Sequence, residues 1–210
     1  MEKFFDADGN IMRALSRVAD LAILNVLWLL CCIPVVTAGA ATTALFYITL
    51  KMVKNEETYI VRSYLKAFKN NFKQSTIVWV ILLIIMLILG VDGYIMCNWS
   101  SQLRYLMLTL VIGAALVVLF IGLYIFPLIA KFENKVLEYF KNAFLMSIRH
   151  LPYTILLVLI FAVQGYVCVY MLVNNQYLPL VLLFGGSAFV YVMSYIHIRV
   201  FKNYIAEEEM

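Results

Sequence analysis

The chain has 210 residues, of which 65% are hydrophobic and only 13% are charged. This composition excludes an ordinary water-soluble domain, in which about a quarter of the residues carry a charge. The formal net charge of +4 requires no nucleic-acid partner, because basic loops are usual in membrane proteins. We therefore predict an integral membrane protein that contacts the lipid bilayer and binds no nucleic acid.

The N-terminal part consists of a charged segment followed by a long apolar segment. Residues 1–20 are predicted to lie at the membrane interface. Leu21–Leu50 has no charged side chain and, as one helix, would be about 45 Å long against a hydrocarbon core of about 30 Å. Pro34 and Gly39 are typical of a break in this segment. We predict two helices joined at the break, either as a hairpin of two spans or as a re-entrant pair.

Further apolar runs predict four more spans. Asn174–Tyr177 is a turn-like sequence before Pro179 and separates the last two of them. The expected fold is an all-α polytopic helix bundle of five to six membrane segments, in a single integral membrane domain of residues 1–210. The four additional spans are 75–96, 105–130, 152–173 and 178–198.

Lysine and arginine in the connecting loops predict the orientation of these segments. Residues 1–20 contain three basic residues, 51–75 contain six and 131–150 contain four, whereas 92–104 contain one. Because basic loops tend to stay in the cytoplasm, both flanks of the first apolar segment are assigned there. We predict a multi-pass plasma-membrane protein whose N- and C-termini are cytoplasmic.

Two of the basic loops have the pattern of amphipathic helices, at 58–75 and 132–149. In each, apolar side chains fall on one helical face and basic side chains on the other, which is typical of a helix at a membrane surface. We predict two cytoplasmic connector helices and take Lys66, Lys69 and Lys141 as candidate contacts to a partner protein. Anionic lipid headgroups are the alternative partner for the same side chains.

The two halves of the chain are weakly similar, which predicts a parallel internal repeat. The run that begins at Gly39 aligns with the run that begins at Gly113, and Tyr64-Leu-Lys-Ala-Phe68 resembles Tyr139-Phe-Lys-Asn-Ala-Phe144. Chance matching among small and aromatic residues is the alternative. The small residues are expected to let helices pack closely. The repeats would cover residues 39–96 and 113–173.

The break in the first apolar segment is the best candidate for a polar site. Asn25 and Thr37 flank the break or lie within it, together with Pro34 and Gly39. Polar side chains inside a membrane either line a cavity or form hydrogen bonds to neighbouring helices, and the sequence leaves both interpretations open. We predict Asn25, Pro34, Thr37 and Gly39 as the candidate helix-break site.

Patterns typical of catalysis or metal binding are missing from the sequence. His150 and His197 lie near predicted membrane boundaries, without Cys or His neighbours at the spacing of zinc ligands. No phosphate-binding loop, GxSxG motif or HExxH motif occurs. We expect no catalytic residue, cofactor or metal, and therefore a protein that is not an enzyme.

The stretch Asn25–Leu45, NVLWLLCCIPVVTAGAATTAL, resembles the N-terminal signature of the YesL-like family of bacterial integral membrane proteins. The length and the helical layout of the chain are also similar to that family. Its members have no established activity and are often encoded beside sugar-uptake ABC transporters and polysaccharide-degrading enzymes of Gram-positive bacteria. The resemblance implies an accessory role in carbohydrate uptake, and it carries over no catalytic residue.

Two classes of function are compatible with the sequence. The sequence does not indicate the oligomeric state. The first is a non-enzymatic accessory or regulatory protein that binds subunits of a sugar ABC transporter. The second is a small carrier or permease with a polar site at the Pro34–Gly39 break. A continuous polar cavity at the break would favour the carrier, and a dry, closely packed bundle would favour the accessory protein.

Overall fold

The computed structural model describes residues 2–56, 59–98, 103–174 and 177–208. Within these ranges the chain forms eight α-helices and one short 3-10 turn, with no strand. The helices are α1 (Glu2–Cys32), α2 (Ala38–Val53), α3 (Ile60–Asn98), α4 (Arg104–Lys131), α5 (Val136–Arg149), α6 (Leu151–Val173), α7 (Leu178–Phe184) and α8 (Ser187–Glu208).

Six helical segments are long and apolar enough to cross a membrane, which confirms the predicted all-α polytopic bundle. The second of them, which contains α2, is the most deeply buried of the six. The segments are Leu15–Cys32, Val35–Val53, Ile60–Asn98, Arg104–Lys131, Leu151–Val173 and Pro179–Lys202.

The predicted break in the first apolar segment is confirmed. Helix α1 ends at Cys32, a 3-10 turn covers Val35–Thr37, and α2 begins at Ala38. Pro34 has an extended backbone (φ −77°, ψ 114°), as expected for a residue that cannot donate to the helical ladder. Gly39 was predicted as part of the break, but it lies in the first turn of α2 instead.

Helix α2 is central because it packs against α1, α3, α4 and α8. Its small residues Ala40, Ala41 and Ala44 are fully buried. A Cβ atom added at Gly39 would lie 2.4 Å from Cβ of Trp79 and 2.7 Å from the carbonyl oxygen of Ser75. Small side chains therefore let the α2 and α3 backbones approach closely, as they commonly do between membrane helices.

The first connector helix is not a separate element. The predicted helix 58–75 and the predicted span 75–96 form one 39-residue helix, α3, and residue 58 lies outside the described residues. No proline or glycine occurs in α3 before Gly90, so nothing in the local sequence ends the helix. The second connector is separate, because α5 ends at Arg149 and α6 begins after the non-helical residue His150 (φ −116°, ψ 43°).

The last predicted span, 178–198, is interrupted in the structure. Helix α7 ends at Phe184, Gly185 and Gly186 form a turn, and α8 begins at Ser187. Residues 175 and 176 of the predicted turn before this span lie outside the described residues. The interruption leaves backbone groups of α7 and α8 without partners inside the helix, so other elements must satisfy them.

Candidate functional site

Asn25, a fully buried residue of α1, bridges the interruption between α7 and α8. Its Nδ2 group donates hydrogen bonds to the carbonyl oxygens of Val181 (3.2 Å) and Leu182 (2.8 Å). Its Oδ1 atom accepts hydrogen bonds from the backbone N–H groups of Gly186 (2.8 Å) and Ser187 (2.9 Å). A side-chain amide offers two donors and two acceptor lone pairs, so all four are used. Asn25 thus forms hydrogen bonds with carbonyl groups near the end of α7 and with N–H groups at the start of α8.

Side chains of α1, α6 and α8 also contact the turn between α7 and α8. The Ser187 hydroxyl donates to the carbonyl oxygen of Leu21 (2.8 Å), and Gln164 Nε2 donates to the carbonyl oxygen of Gly185 (3.2 Å). A Cβ atom at Gly186 would lie 2.7 Å from Cζ3 of the Trp28 ring. The glycine is therefore required for the close contact between Trp28 and the turn.

The break between α1 and α2 is also closed by hydrogen bonds to protein atoms. Thr37 Oγ1 lies 2.6 Å from the carbonyl oxygen of Cys31 and 2.8 Å from that of Pro34. Trp79 Nε1 of α3 donates to the carbonyl oxygen of Val35 (2.7 Å). Because lipid cannot satisfy a backbone carbonyl, these contacts stabilise the irregular segment.

The four predicted break residues are not brought together into one cavity. Asn25 contacts the interruption between α7 and α8, whereas Pro34 and Thr37 belong to the first break and Gly39 packs against α3. The sequence analysis missed the second interruption, although the Gly185-Gly186 pair in an apolar run was a usable signal for a turn.

The basic face of α3 is exposed together with apolar side chains. Lys66 and Lys69 are exposed, and Val61, Leu65 and Phe72 have exposed fractions of 46%, 48% and 40%. Tyr64 and Ala67 of the same segment are buried against the bundle. The predicted apolar face therefore has two parts, of which one packs on the protein and the other lies beside the lysines.

Helix α5 presents a similar surface. Lys141 is exposed between the exposed apolar side chains of Leu137, Phe144 and Ile148. These four residues follow the i, i+4, i+7, i+11 spacing of one helical face. The exposed surface of α5 therefore differs from the prediction, because Lys141 lies within a stripe of exposed apolar side chains and not on the opposite face.

A hydrogen-bonded joint connects α5 to α3. Gln74 Nε2 of α3 donates to the carbonyl oxygen of Asn134 (3.3 Å), and the Asn134 N–H donates to the Tyr139 hydroxyl (3.0 Å). The Tyr139 hydroxyl donates to the carbonyl oxygen of Phe132 (2.8 Å). Burial raises the pKa of Tyr139, so its hydroxyl remains a donor at neutral pH. The joint holds the two basic helices next to each other.

His150 connects the end of α5 to α8. Its Nε2 atom lies 3.3 Å from the hydroxyl of Tyr204, and the Arg149 guanidinium carbon lies 5.6 Å from the centroid of the Tyr204 ring. Burial lowers the pKa of His150, and the positive charge of Arg149 lowers it further. The imidazole is therefore neutral near pH 7, and it can accept a hydrogen bond from Tyr204.

One cavity opens near the C-terminal ends of α2 and α4, and a second opens between the end of α4 and helix α5. The first, of about 240 Å³, is lined by Tyr47, Lys51 and Lys54 on the α2 side and by Lys131 of α4 and Phe201 of α8. The second, of about 300 Å³, is lined by Asn134, Asn142, Arg149 and Tyr204 among others. The residues that line these two cavities include none from the break at 33–37.

Comparison with known proteins identifies relatives without an assigned activity. The family model described as "Protein of unknown function, DUF624" matches residues 21–93. The uncharacterized protein YteU of Bacillus subtilis (strain 168) is 26% identical over 196 residues, which cover 91% of this chain and 83% of the relative. The uncharacterized protein YesL of the same organism is 25% identical over 196 residues, which cover 91% of this chain and 90% of the relative. No solved structure matches the chain.

Proposed function

We propose that this chain, a YesL-like membrane protein, is a non-enzymatic accessory protein that docks onto a carbohydrate-uptake ABC transporter through its basic helical surface. The observation that carries the proposal is the exposure of Lys66 and Lys69 of α3 and Lys141 of α5 beside apolar side chains. A surface of this kind suits a protein partner that offers acidic and apolar groups, because opposite charges accelerate association and set its register. The association with sugar transporters follows from the resemblance to the YesL-like family.

The packing of the two interrupted segments supports an accessory role over transport. At both interruptions, polar side chains point at backbone groups of neighbouring helices and form hydrogen bonds with them. Asn25 has no lone pair or N–H group left for a solute. These groups act as structural connections between helices.

The experiment is purification of the tagged full-length protein in a mild detergent from cells grown on a complex polysaccharide. Recovery of transporter subunits is expected with the native protein. The double variant Lys66→Glu/Lys69→Glu reverses two charges on the exposed face of α3 and should lose most of the recovered partner. The recovered proteins are identified by mass spectrometry.

The matched control is Arg199→Glu/Lys202→Glu, which reverses two exposed charges on α8. It has the same change in net charge and should retain the partner. Equal loss of the partner in both variants would show that total charge, and not the surface of α3, controls the association. Recovery of the chain without transporter subunits would contradict the proposal.

A small carrier is a second candidate, because two membrane segments are interrupted. Secondary transporters often bind their substrates at discontinuous helices. Uptake of a sugar into vesicles that contain only this protein would favour the carrier. In that case Thr37→Val, at the Pro34–Gly39 break, should reduce uptake far more than a substitution at Lys66.

A further inference from the structure

The cavity between α2, α4 and α8 contains three lysines. Lys51, Lys54 and Lys131 line it, with Glu56 as the acidic residue among the described lining residues. Lys51 Nζ lies 4.0 Å from Glu56 Oε2 and 4.9 Å from the centroid of the Tyr47 ring. Within the described ranges no ion pair involves Lys54 or Lys131. The cavity therefore has an excess of positive charge.

The helix ends next to the cavity do not require these lysines as caps. The backbone N–H groups of Lys54 and Glu56 both donate to the carbonyl oxygen of Lys51, and the N–H of Asn55 donates to that of Met52. Similarly, the N–H of Phe132 donates to the carbonyl oxygen of Leu128 at the end of α4. The carbonyl groups of Lys51, Met52 and Leu128 are thus satisfied by the backbone. Among the described residues no hydrogen bond or ion pair involves the ammonium groups of Lys54 and Lys131, so these groups are available for a ligand.

The position of the cavity corresponds to a membrane surface. Three of the candidate spans end beside it, at Val53, Lys131 and Lys202. Its floor is apolar, since Leu50 and Phe201 are buried side chains of the bundle core. A ligand in this place would meet positive charge at the mouth and apolar side chains below, which matches a phospholipid with an anionic headgroup and acyl chains. Basic pockets between membrane helices bind anionic headgroups in this way.

We propose that this cavity binds the phosphate group of an acidic glycerophospholipid through Lys51, Lys54 and Lys131. The Tyr47 ring holds the Lys51 ammonium group by a cation–π contact, which reduces the conformational freedom lost on binding. A soluble phosphate would use the same charges, but it would gain nothing from the apolar floor.

The test uses the full-length protein in a neutral detergent and measures the thermal unfolding midpoint. Three probes are added separately: phosphatidylglycerol in mixed micelles, phosphatidylcholine in the same amount, and inorganic phosphate. Phosphatidylglycerol should raise the midpoint in a saturable manner, because a ligand that binds the folded state stabilises it. Phosphatidylcholine and inorganic phosphate should have little effect.

The variant Lys54→Gln/Lys131→Gln removes two exposed charges from the cavity. Each lysine near an anionic membrane surface contributes about 1 kcal/mol to the binding free energy, which is about a fivefold change in affinity. The double variant should therefore bind phosphatidylglycerol about thirtyfold more weakly. The control Arg62→Gln/Lys73→Gln removes the same charge from exposed positions of α3 and should bind normally.

Two results would overturn the proposed site: equally weakened phosphatidylglycerol binding in both variants, or equal midpoint shifts with phosphatidylglycerol and phosphatidylcholine. A midpoint shift by inorganic phosphate equal to that by phosphatidylglycerol, and lost in the cavity variant, would show that the phosphate comes from a soluble ligand and would overturn the assignment to lipid.

Discussion

At the scale of single residues, Asn25 is the most consequential side chain of the bundle. Its four hydrogen bonds connect α1 to groups 156 to 162 positions away in the sequence. A polar side chain in an apolar segment could be recognised from the sequence, and Asn25 was predicted as a site residue. Its partners could not be predicted, because they are backbone groups that become available only where α7 and α8 are interrupted.

We predict that Asn25→Ala destabilises the protein strongly. The change leaves two carbonyl groups and two N–H groups without their partners, at a cost of about 3 kcal/mol or more. The thermal unfolding midpoint in detergent measures the effect. The control is Asn98→Ala, because the exposed side chain of Asn98 bonds, among the described residues, only to the carbonyl oxygen of Tyr94 one turn away, and its loss should change the midpoint little. Equal shifts for both variants would contradict the role of Asn25.

We predict a pH dependence of stability that comes from His150. Burial lowers its pKa in the folded protein, so the unfolded state binds a proton more readily. The stability that neutral His150 contributes is present above its ordinary pKa of about 6.5, and it is lost as the pH falls through the lowered value. His150→Gln should therefore lose less stability than the native protein between about pH 8 and about pH 5. Parallel midpoint curves for the two proteins would exclude this contribution.

At the scale of elements, local sequence predicted helix interruptions only where it contains strong signals. Pro34 marks the first break, and the structure has the break there. The sequence between the first predicted connector helix and the next predicted span contains no such signal, so the two form one helix, α3. In the second half, His150 and Pro152 separate α5 from α6. The connector is thus continuous with the following span in the first half and separate from it in the second half. This difference arises from a few residues, although the helical patterns of the two halves are similar.

The two halves also share buried positions. Tyr64 and Tyr139, which align in the predicted repeat, are 0% and 1% exposed, and the aligned Ala67 and Ala143 are buried as well. The matching burial is consistent with a common pattern of packing in the two connectors. Whether the halves arose by duplication stays a prediction, with the ranges 39–96 and 113–173.

We predict opposite effects for the aligned glycines Gly39 and Gly113. Gly39→Ala places a Cβ atom 2.4 Å from Trp79 Cβ and should destabilise the protein by about 1–3 kcal/mol through overpacking. A Cβ atom at Gly113 meets no atom within 4 Å, so Gly113→Ala should be neutral or stabilising by up to about 1 kcal/mol. The unfolding midpoints of the two variants decide the matter. Destabilisation by Gly113→Ala similar to that by Gly39→Ala would indicate a contact of Gly113 with another chain.

At the scale of the whole molecule, composition was sufficient to predict a membrane helix bundle. The apolar residues needed for six spans are obvious in the sequence, and the structure has six helical segments of sufficient length. The centre of the bundle could not be predicted, because α2 is not more apolar than the other spans. It becomes central through its small residues, which allow four helices to contact it closely.

We predict that reporters at the N-terminus and at the C-terminus both lie in the cytoplasm. The reason is the excess of lysine and arginine in residues 1–20, 51–75 and 131–150. A reporter inserted at Val36–Ala38 should be extracytoplasmic or inaccessible. Enzymatic reporters fused at these positions measure the orientation, and a cytoplasmic reading at Val36–Ala38 together with an extracytoplasmic N-terminus would refute the predicted topology.

The bridge from Asn25 to Gly186 can form only late in synthesis. Asn25 enters the membrane early, whereas its partners are synthesised some 160 residues later. Until α7 and α8 are synthesised, the amide of Asn25 lacks its four backbone partners, and a membrane interior offers no water in their place. A chain that stops after Val173 therefore carries an unsatisfied polar side chain in its first apolar segment, a cost that the synthesis of α7 and α8 removes.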